Sequence, residues 1–325
     1  MKKSGIALRL ARPTRYNRGF HFGGELGSNA RSTMSNLSLY LACVLIWGST
    51  WIAITFQFGV VPAEMSVAYR FGLSAILLFL WCLVKSLRLR YALAEHRFFA
   101  LSGVLMFGLN YVLVYYSEMY VSSGLVAVLF STMVFMNLFF ARIFFGNPMR
   151  REVVAGSVLG FAGIVLVFWP EIAQFAHAGS ALNGLMLGLA ATLSASLGNM
   201  VMVRNQKTGV PVVQANAWGM FYGSLCVLAY AATTGKPFVF DASFKYVASL
   251  LYLTVFGSIL AFGAYMTLVR HIGPERAGYT SVAIPVVALL ISTVFESFVW
   301  HPATVIGLAL CIGGNVLVLR MRRPV

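Results

Sequence analysis

The chain has 325 residues, 59% of them hydrophobic and only 10% charged, with a formal charge of +15. Soluble domains average roughly 45–50% apolar and about 25% charged residues, so a water-soluble globule is excluded and lipid is the expected solvent for most of the surface. Cys43, Cys82, Cys226 and Cys311 sit in apolar runs without CxxC spacing, and His21, His96, His177, His271 and His301 never cluster, so no disulfide framework, metal site or cofactor is expected.

In chain order, residues 1–34 hold seven basic groups, one acid and no apolar core of a signal peptide, and read as a basic tail without regular structure. Met34 stands immediately before the first apolar run, so a start there leaves the membrane part intact, and translation of the tail is open. Apolar runs follow at 36–57, 66–84, 98–119, 124–145, 153–169, 182–203, 212–232, 246–269, 277–297 and 303–319. The breaks carry stop signals such as Val61-Pro62, Gly146-Asn147-Pro148, Gly209-Val210-Pro211, Gly235-Lys236-Pro237, Gly273-Pro274 and His301-Pro302. The fold class is therefore an all-α integral membrane protein with ten transmembrane helices.

Charge placement tests that count. Ten spans put 21 of the 24 Lys and Arg residues on one side of the bilayer, only Lys236 and Lys245 on the other, and Arg70 inside a span. Basic residues near span ends mark the cytoplasmic side, so both termini are expected in the cytoplasm and the net charge is topological. Nucleic acid is not implied.

The halves also resemble each other. Sliding by 151 places Gly156 on Gly307, Gly163 on Gly314 and Val165-Leu166-Val167 on Val316-Leu317-Val318; sliding by 149 places Pro62 on Pro211, Gly108 on Gly257 and Tyr116 on Tyr265. Five helices per half is an odd number, so the second copy enters from the opposite face. The expected organisation is two inverted five-helix repeats, 35–173 and 180–320, between cytoplasmic tails 1–34 and 321–325. Such repeats build alternating access around a midplane site.

At this point residues 36–319 resemble the EamA-type ten-helix carriers of the drug/metabolite transporter superfamily. The likeness rests on Trp47-Gly48-Ser49-Thr50-Trp51, Arg70-Phe71, His271-Ile272-Gly273-Pro274-Glu275-Arg276-Ala277, Ile284-Pro285-Val286-Val287, Glu296, Ile306-Gly307-Leu308-Ala309-Leu310 and Gly313-Gly314-Asn315. The resemblance implies a bacterial inner-membrane exporter of amino acids, related metabolites or toxic compounds. Where the first half of the family often has a proline and then a Gly-Glu helix end, this chain has Val134 and Gly146-Asn147, so roles tied to that pair do not carry over.

Candidate site residues follow from chemistry in the spans. Trp47 with Thr50 and Trp51, Asn110, Tyr111, Tyr115, Asn137, Ser194, Asn199, Trp218, Tyr222 and Tyr265 fall near the expected midplane. Aromatic walls with a few amide and hydroxyl groups suit a small amphipathic or zwitterionic substrate, although each is also explained by packing or interhelical hydrogen bonding. Pro285 removes a backbone donor mid-span and crowds the Ser281 carbonyl. It is either a hinge lining the path or a static kink satisfied by Thr280 or Ser281. Arg70, Glu118 and Glu296 are ionisable groups within spans, costly there, and lie within about two turns of the outer face. The carboxylates read as interfacial, with the sharper alternative that Arg70 pairs with one of them as a gate or holds a substrate carboxylate. Glu296, if shielded, would exchange a proton as coupling ion. Small residues four apart at Gly156 and Gly160, Gly184 and Gly188, Ser194 and Gly198, and Gly219 and Gly223 read as packing seams.

Nothing resembles a nucleotide loop, HExxH or GxSxG, so an enzyme is not expected. A secondary transporter exporting amino acids or related metabolites is the first reading; multidrug efflux and a facilitative pore are the alternatives. The partners are the bilayer and a small molecule, with a homodimer left open.

Overall fold

The computed structural model describes residues 35–146, 151–174, 180–272 and 277–319; the expected tails 1–34 and 321–325, and the turns at Asn147-Pro148 and Gly273-Pro274, lie outside them. Within them the secondary structure is helical throughout. In chain order the helices are α1 (Asn36–Thr55), α2 (Ala63–Val84), α3 (Leu93–Glu118), α4 (Ser123–Phe145), α5 (Arg151–Gln174), α6 (Ser180–Lys207), α7 (Val212–Thr233), α8 (Phe244–Tyr252 continuing to Ile272), α9 (Thr280–Phe295) and α10 (Pro302–Leu319). Nine are long and apolar enough to cross a membrane, and α9 is a shorter apolar helix of 16 residues. At 1.5 Å per residue about 20 residues cover a bilayer core of roughly 30 Å.

The ends are set by local chemistry. Ser35 caps α1 by accepting from the Ser38 amide at 3.1 Å, and Ser243 opens α8 by accepting from the Tyr246 amide at 3.4 Å. Pro62 and Pro211 stand at the N-caps of α2 and α7, and Gly146 ends α4 in the left-handed region at φ 69°. We call the end of the bundle that carries Asn36 the near end, and the end that carries Thr55 the far end.

Packing between halves comes in matched pairs. The first helix of one half lies against the fourth of the other, α1 on α9 and α6 on α4; the second lies against the third, α2 on α8 and α7 on α3. The self-matched pairs are α2 with α7 and α5 with α10. The α5–α10 seam shows why its glycines are needed. A Cβ at Gly163 would sit 2.6 Å from the Gly307 carbonyl oxygen and one at Gly307 would sit 2.6 Å from that of Gly163. Gly156 and Gly314 face each other in the same reciprocal way, at 2.7 and 2.5 Å, so the two helices run antiparallel. Val318 covers Gly156 as Val167 covers Gly307. An inverted duplication produces this arrangement: the counterparts of one facing pair, Gly163 and Gly307, are the members of the other, Gly314 and Gly156.

Two π-helical stretches, Gly103–Leu109 in α3 and Leu253–Leu260 in α8, occupy corresponding positions in the halves. Such segments widen the helix and occur often at functional sites. Neither was legible in the apolar pattern. Helix α4 is interrupted at Ser131–Thr132, whose hydroxyls donate back to the carbonyls of Val128 and Leu129 at 2.7 and 2.6 Å. Helix α9, in contrast, continues through Pro285 without a break. Pro285 thus does not break its helix. The expected satisfaction of the Ser281 carbonyl by Thr280 or Ser281 is corrected, since both hydroxyls donate instead to the carbonyls of Ala277 and Gly278. Pro285 is buried, and next to it the backbone at Ile284 and the side chain of Val287 lie against Gly48 of α1.

Candidate functional site

Buried charge collects in the far half of the bundle. Arg70, two turns into α2, is 2% exposed. Its guanidinium carbon lies 4.5 Å from the ring centre of Tyr111 on α3 and 5.0 Å from that of Phe71, the range of cation–π attraction. Its Nε donates to the Ser258 hydroxyl at 3.3 Å, while Nη1 is buried with no partner. Ser258 belongs to the π-helical turn of α8 and donates to the Leu253 carbonyl five residues back at 3.0 Å. Gly257 lies beside it. A Cβ there would lie 2.8 Å from Thr50 Cγ2 and 3.4 Å from Arg70 Nη2, so the missing side chain is what admits both residues to the turn. Trp47 completes this centre: its indole N–H donates to the Gly257 carbonyl at 3.2 Å, and its ring packs on Phe262 and Tyr265 at 5.3 and 5.4 Å. Sequence candidates Trp47, Thr50, Arg70, Tyr111 and Tyr265 thus converge around one turn of α8.

Above this centre, toward the far end, α3 presents Tyr115 and Glu118. The Tyr115 hydroxyl donates to Gln57 Oε1 at 2.5 Å, leaving Gln57 Nε2 buried without an acceptor. Glu118 is 6% exposed and neither carboxyl oxygen has a hydrogen-bond partner. Its interfacial reading is corrected, because protein and not headgroup or water surrounds it. The pairing of Arg70 with Glu118 or Glu296 is corrected too: among the described residues no ion pair within 4.0 Å joins them. Glu296 accepts instead from the Ser123 amide at 3.1 Å, the Ser123 hydroxyl at 2.7 Å and the Ser292 hydroxyl at 2.5 Å. It caps the start of α4 from across the bundle.

A second far-end contact joins the halves. Glu64, wholly buried, accepts from the Tyr116 hydroxyl at 2.6 Å and forms an ion pair with Lys236 at 3.3 Å. Lys236 lies in the α7–α8 connection, outside the spans. The Tyr116 hydroxyl and the Glu64 carboxylate hold its amine above the usual lysine range. Sequence reading missed Gln57, Glu64, Ser258 and Lys236. A polar residue at a span end looks like an ordinary connection residue, and only a three-dimensional neighbour reveals its partner.

Other candidates go elsewhere. Asn137 accepts from Ser196 at 2.7 Å and from Asn199 at 3.5 Å, a small polar bridge between α4 and α6 that also uses Met133 Sδ. Ser194 donates to the Leu105 carbonyl in the π-helical stretch of α3. Asn110 donates to the Met106 carbonyl at 3.1 Å, and its Oδ1 is buried without a donor. Trp51 packs on Phe130 at 4.9 Å, away from Trp47's partners. Trp218 and Tyr222, the seventh and eleventh of the 22 residues of α7, turn their polar atoms toward the near end: Trp218 donates to the Leu89 carbonyl at 3.2 Å, and Tyr222 shares a hydrogen bond with His96 at 2.9 Å. There Arg204 pairs with Glu95 and lies over Phe98 at 3.5 Å.

Comparison with known proteins agrees with this architecture. Residues 34–169 and again 182–320 match the EamA-like transporter family. The chain belongs to that family. The repeated match is the duplication seen in the glycine seam. This EamA-like transporter is 29% identical over 258 residues to YedA of Escherichia coli strain K12, described as an uncharacterized inner membrane transporter, covering 78% of the chain and 80% of the relative. It is 25% identical to the uncharacterized transporter YoaV of Bacillus subtilis, with 77% and 84% covered, and 23% identical to protein PecM of Dickeya dadantii, with 88% and 92% covered. One solved crystal structure superposes with a TM-score of 0.64 at 16% identity, over 87% of this chain and 95% of the other. The protein is an integral membrane transporter.

Proposed function

We propose that this EamA-like protein is a secondary transporter of the bacterial inner membrane that exports amino acids or related small metabolites by alternating access. The observation that carries the reading is Arg70. A guanidinium buried in the bundle with an unpartnered Nη1 and, among the described residues, no ion pair within 4.0 Å is a costly arrangement that an anionic group would relieve. A substrate carboxylate supplies that group. Trp47, Tyr111, Phe262 and Tyr265 supply apolar walls for the rest of a small molecule. The matched inter-repeat contacts provide two equivalent ways of closing the bundle, and the near end, with Arg88, Arg97, Arg204 and Lys207, is the cytoplasmic one by charge.

Uptake into inverted membrane vesicles tests this, with a panel of amino acids and cationic dyes, with and without a proton gradient. Saturable accumulation of amino acids, lost in Arg70→Gln, is expected. Dyes without amino acids would favour multidrug efflux, for which the aromatic walls alone suffice, and transport without saturation or counterflow would favour a pore.

A further inference from the structure

Arg70 and Glu118 are ionisable groups of opposite kind, both buried, both carrying unpartnered polar atoms, and not joined by an ion pair within 4.0 Å. Buried ions of opposite sign in one bundle ordinarily meet or find donors. Two other acids of the far half do so, Glu64 with Lys236 and Tyr116, and Glu296 with Ser123 and Ser292. We propose that Arg70 and Glu118 form the two poles of a zwitterion site, Arg70 taking the substrate's carboxylate and Glu118 its ammonium group. This deepens the proposed function and rests on it.

The placement fits. Tyr111, Tyr115 and Glu118 share one face of α3, being four and then three residues apart. Arg70 lies over Tyr111 at the start of that stripe and Glu118 ends it. Seven residues rise about 10 Å along the axis, the scale of an α-amino acid with a charge-assisted hydrogen bond at each pole, about 8–9 Å, and no ion pair within 4.0 Å joins Arg70 and Glu118 directly. Between the poles Gln57, held through its Oε1 by the Tyr115 hydroxyl, offers its unpartnered Nε2 as a further donor to the carboxylate. Arg70 of α2 and Glu296 beyond α9 are the charged groups in electrostatic reach of Glu118, with Tyr115 the titratable neighbour on its own helix. The facing stretches of α1, α4 and α6 bring no titratable side chain to this end, and Glu64 of α2 is held by Lys236.

The test uses reconstituted full-length protein and alanine, threonine, leucine and phenylalanine. Each is presented with its N-acetyl derivative, which keeps only the carboxylate, and its decarboxylated amine, which keeps only the ammonium. Wild type is expected to prefer the zwitterion over both by about tenfold or more, the worth of one charge-assisted hydrogen bond. Glu118→Gln is expected to lose that preference over the N-acetyl acid while still transporting the acid, which also shows that the variant is folded. Glu118→Asp should restore part of it. If Glu118→Gln is inactive toward every compound, a folded thermal transition and competition by the N-acetyl acid in a binding measurement replace the flux readout. Amino-acid transport with an unchanged zwitterion preference in Glu118→Gln overturns this site and leaves the proposed function standing. Failure of wild type to move any amino acid overturns both.

Discussion

The α5–α10 seam and the centre around Gly257 are both built on glycines, yet they do opposite things with the space. At the seam the backbone of the other helix fills the gap, Gly163 and Gly307, and likewise Gly156 and Gly314, each facing the other's carbonyl at 2.5–2.7 Å, and Cys311 donates to the Gly160 carbonyl at 3.5 Å. At Gly257 the gap admits side chains, the methyl of Thr50 and the guanidinium of Arg70, and polar atoms remain unpartnered. Close packing makes the first a scaffold. Uncompensated charge makes the second a place where a ligand gains more than the protein does.

The largest break in this contrast comes from the seam. Gly307→Leu is expected to destabilise the protein in detergent by about 3 kcal/mol or more, because the added atoms meet fixed backbone. Gly313→Leu on the same helix, with nothing within 4 Å of its Cβ, should leave the thermal transition in place. Equal transitions for the two would show that the seam is not tightly closed. At the centre, Arg70→Met should reduce amino-acid transport about 100-fold, the scale of one or two charge-assisted hydrogen bonds, while leaving thermal stability unchanged or raised, since it removes an uncompensated buried charge. A marked fall in stability would mean that Arg70 is structural. Smaller is the effect of Trp47→Phe, which loses the indole donor to Gly257 but keeps an aromatic wall; KM should rise about three- to tenfold with kcat little changed. The smallest concerns the far-end closure. Lys236 is held above the ordinary lysine value by Tyr116 and Glu64, so the stability it adds is present through neutral pH and is lost only as pH rises past its raised value. A pH series of thermal transitions should show an alkaline decline in wild type that Lys236→Met lacks.

How much was legible depended on whether a signal was one-dimensional. Ten apolar runs, the stop residues at Pro62, Pro211 and Pro302, and the paired glycines of the repeat are all spacing patterns, and lipid solvation makes such patterns strict because each span must satisfy its own backbone. The partners of Trp218 and Tyr222 were not legible for the complementary reason. An aromatic pair four apart has a face but no depth, and it was the Leu89 carbonyl and His96 that drew them to the near end. Glu118 and Glu296 looked alike in the sequence, each an acid at the end of a span. One is held by three groups from two helices and the other by none.

By itself the sequence determined that this chain lives in a bilayer, where its ten apolar runs fall, and that its two halves are related, because burial in lipid acts on runs of residues that are contiguous. Tertiary structure alone decided which polar groups find partners. A hydrogen bond or an ion pair is a matter of a few ångströms between atoms that are 188 residues apart in the case of Arg70 and Ser258 and 210 in that of Trp47 and Gly257. Composition fixes no such distance. The unpaired Arg70 and Glu118 could be recognised only after every competing donor and acceptor had been placed.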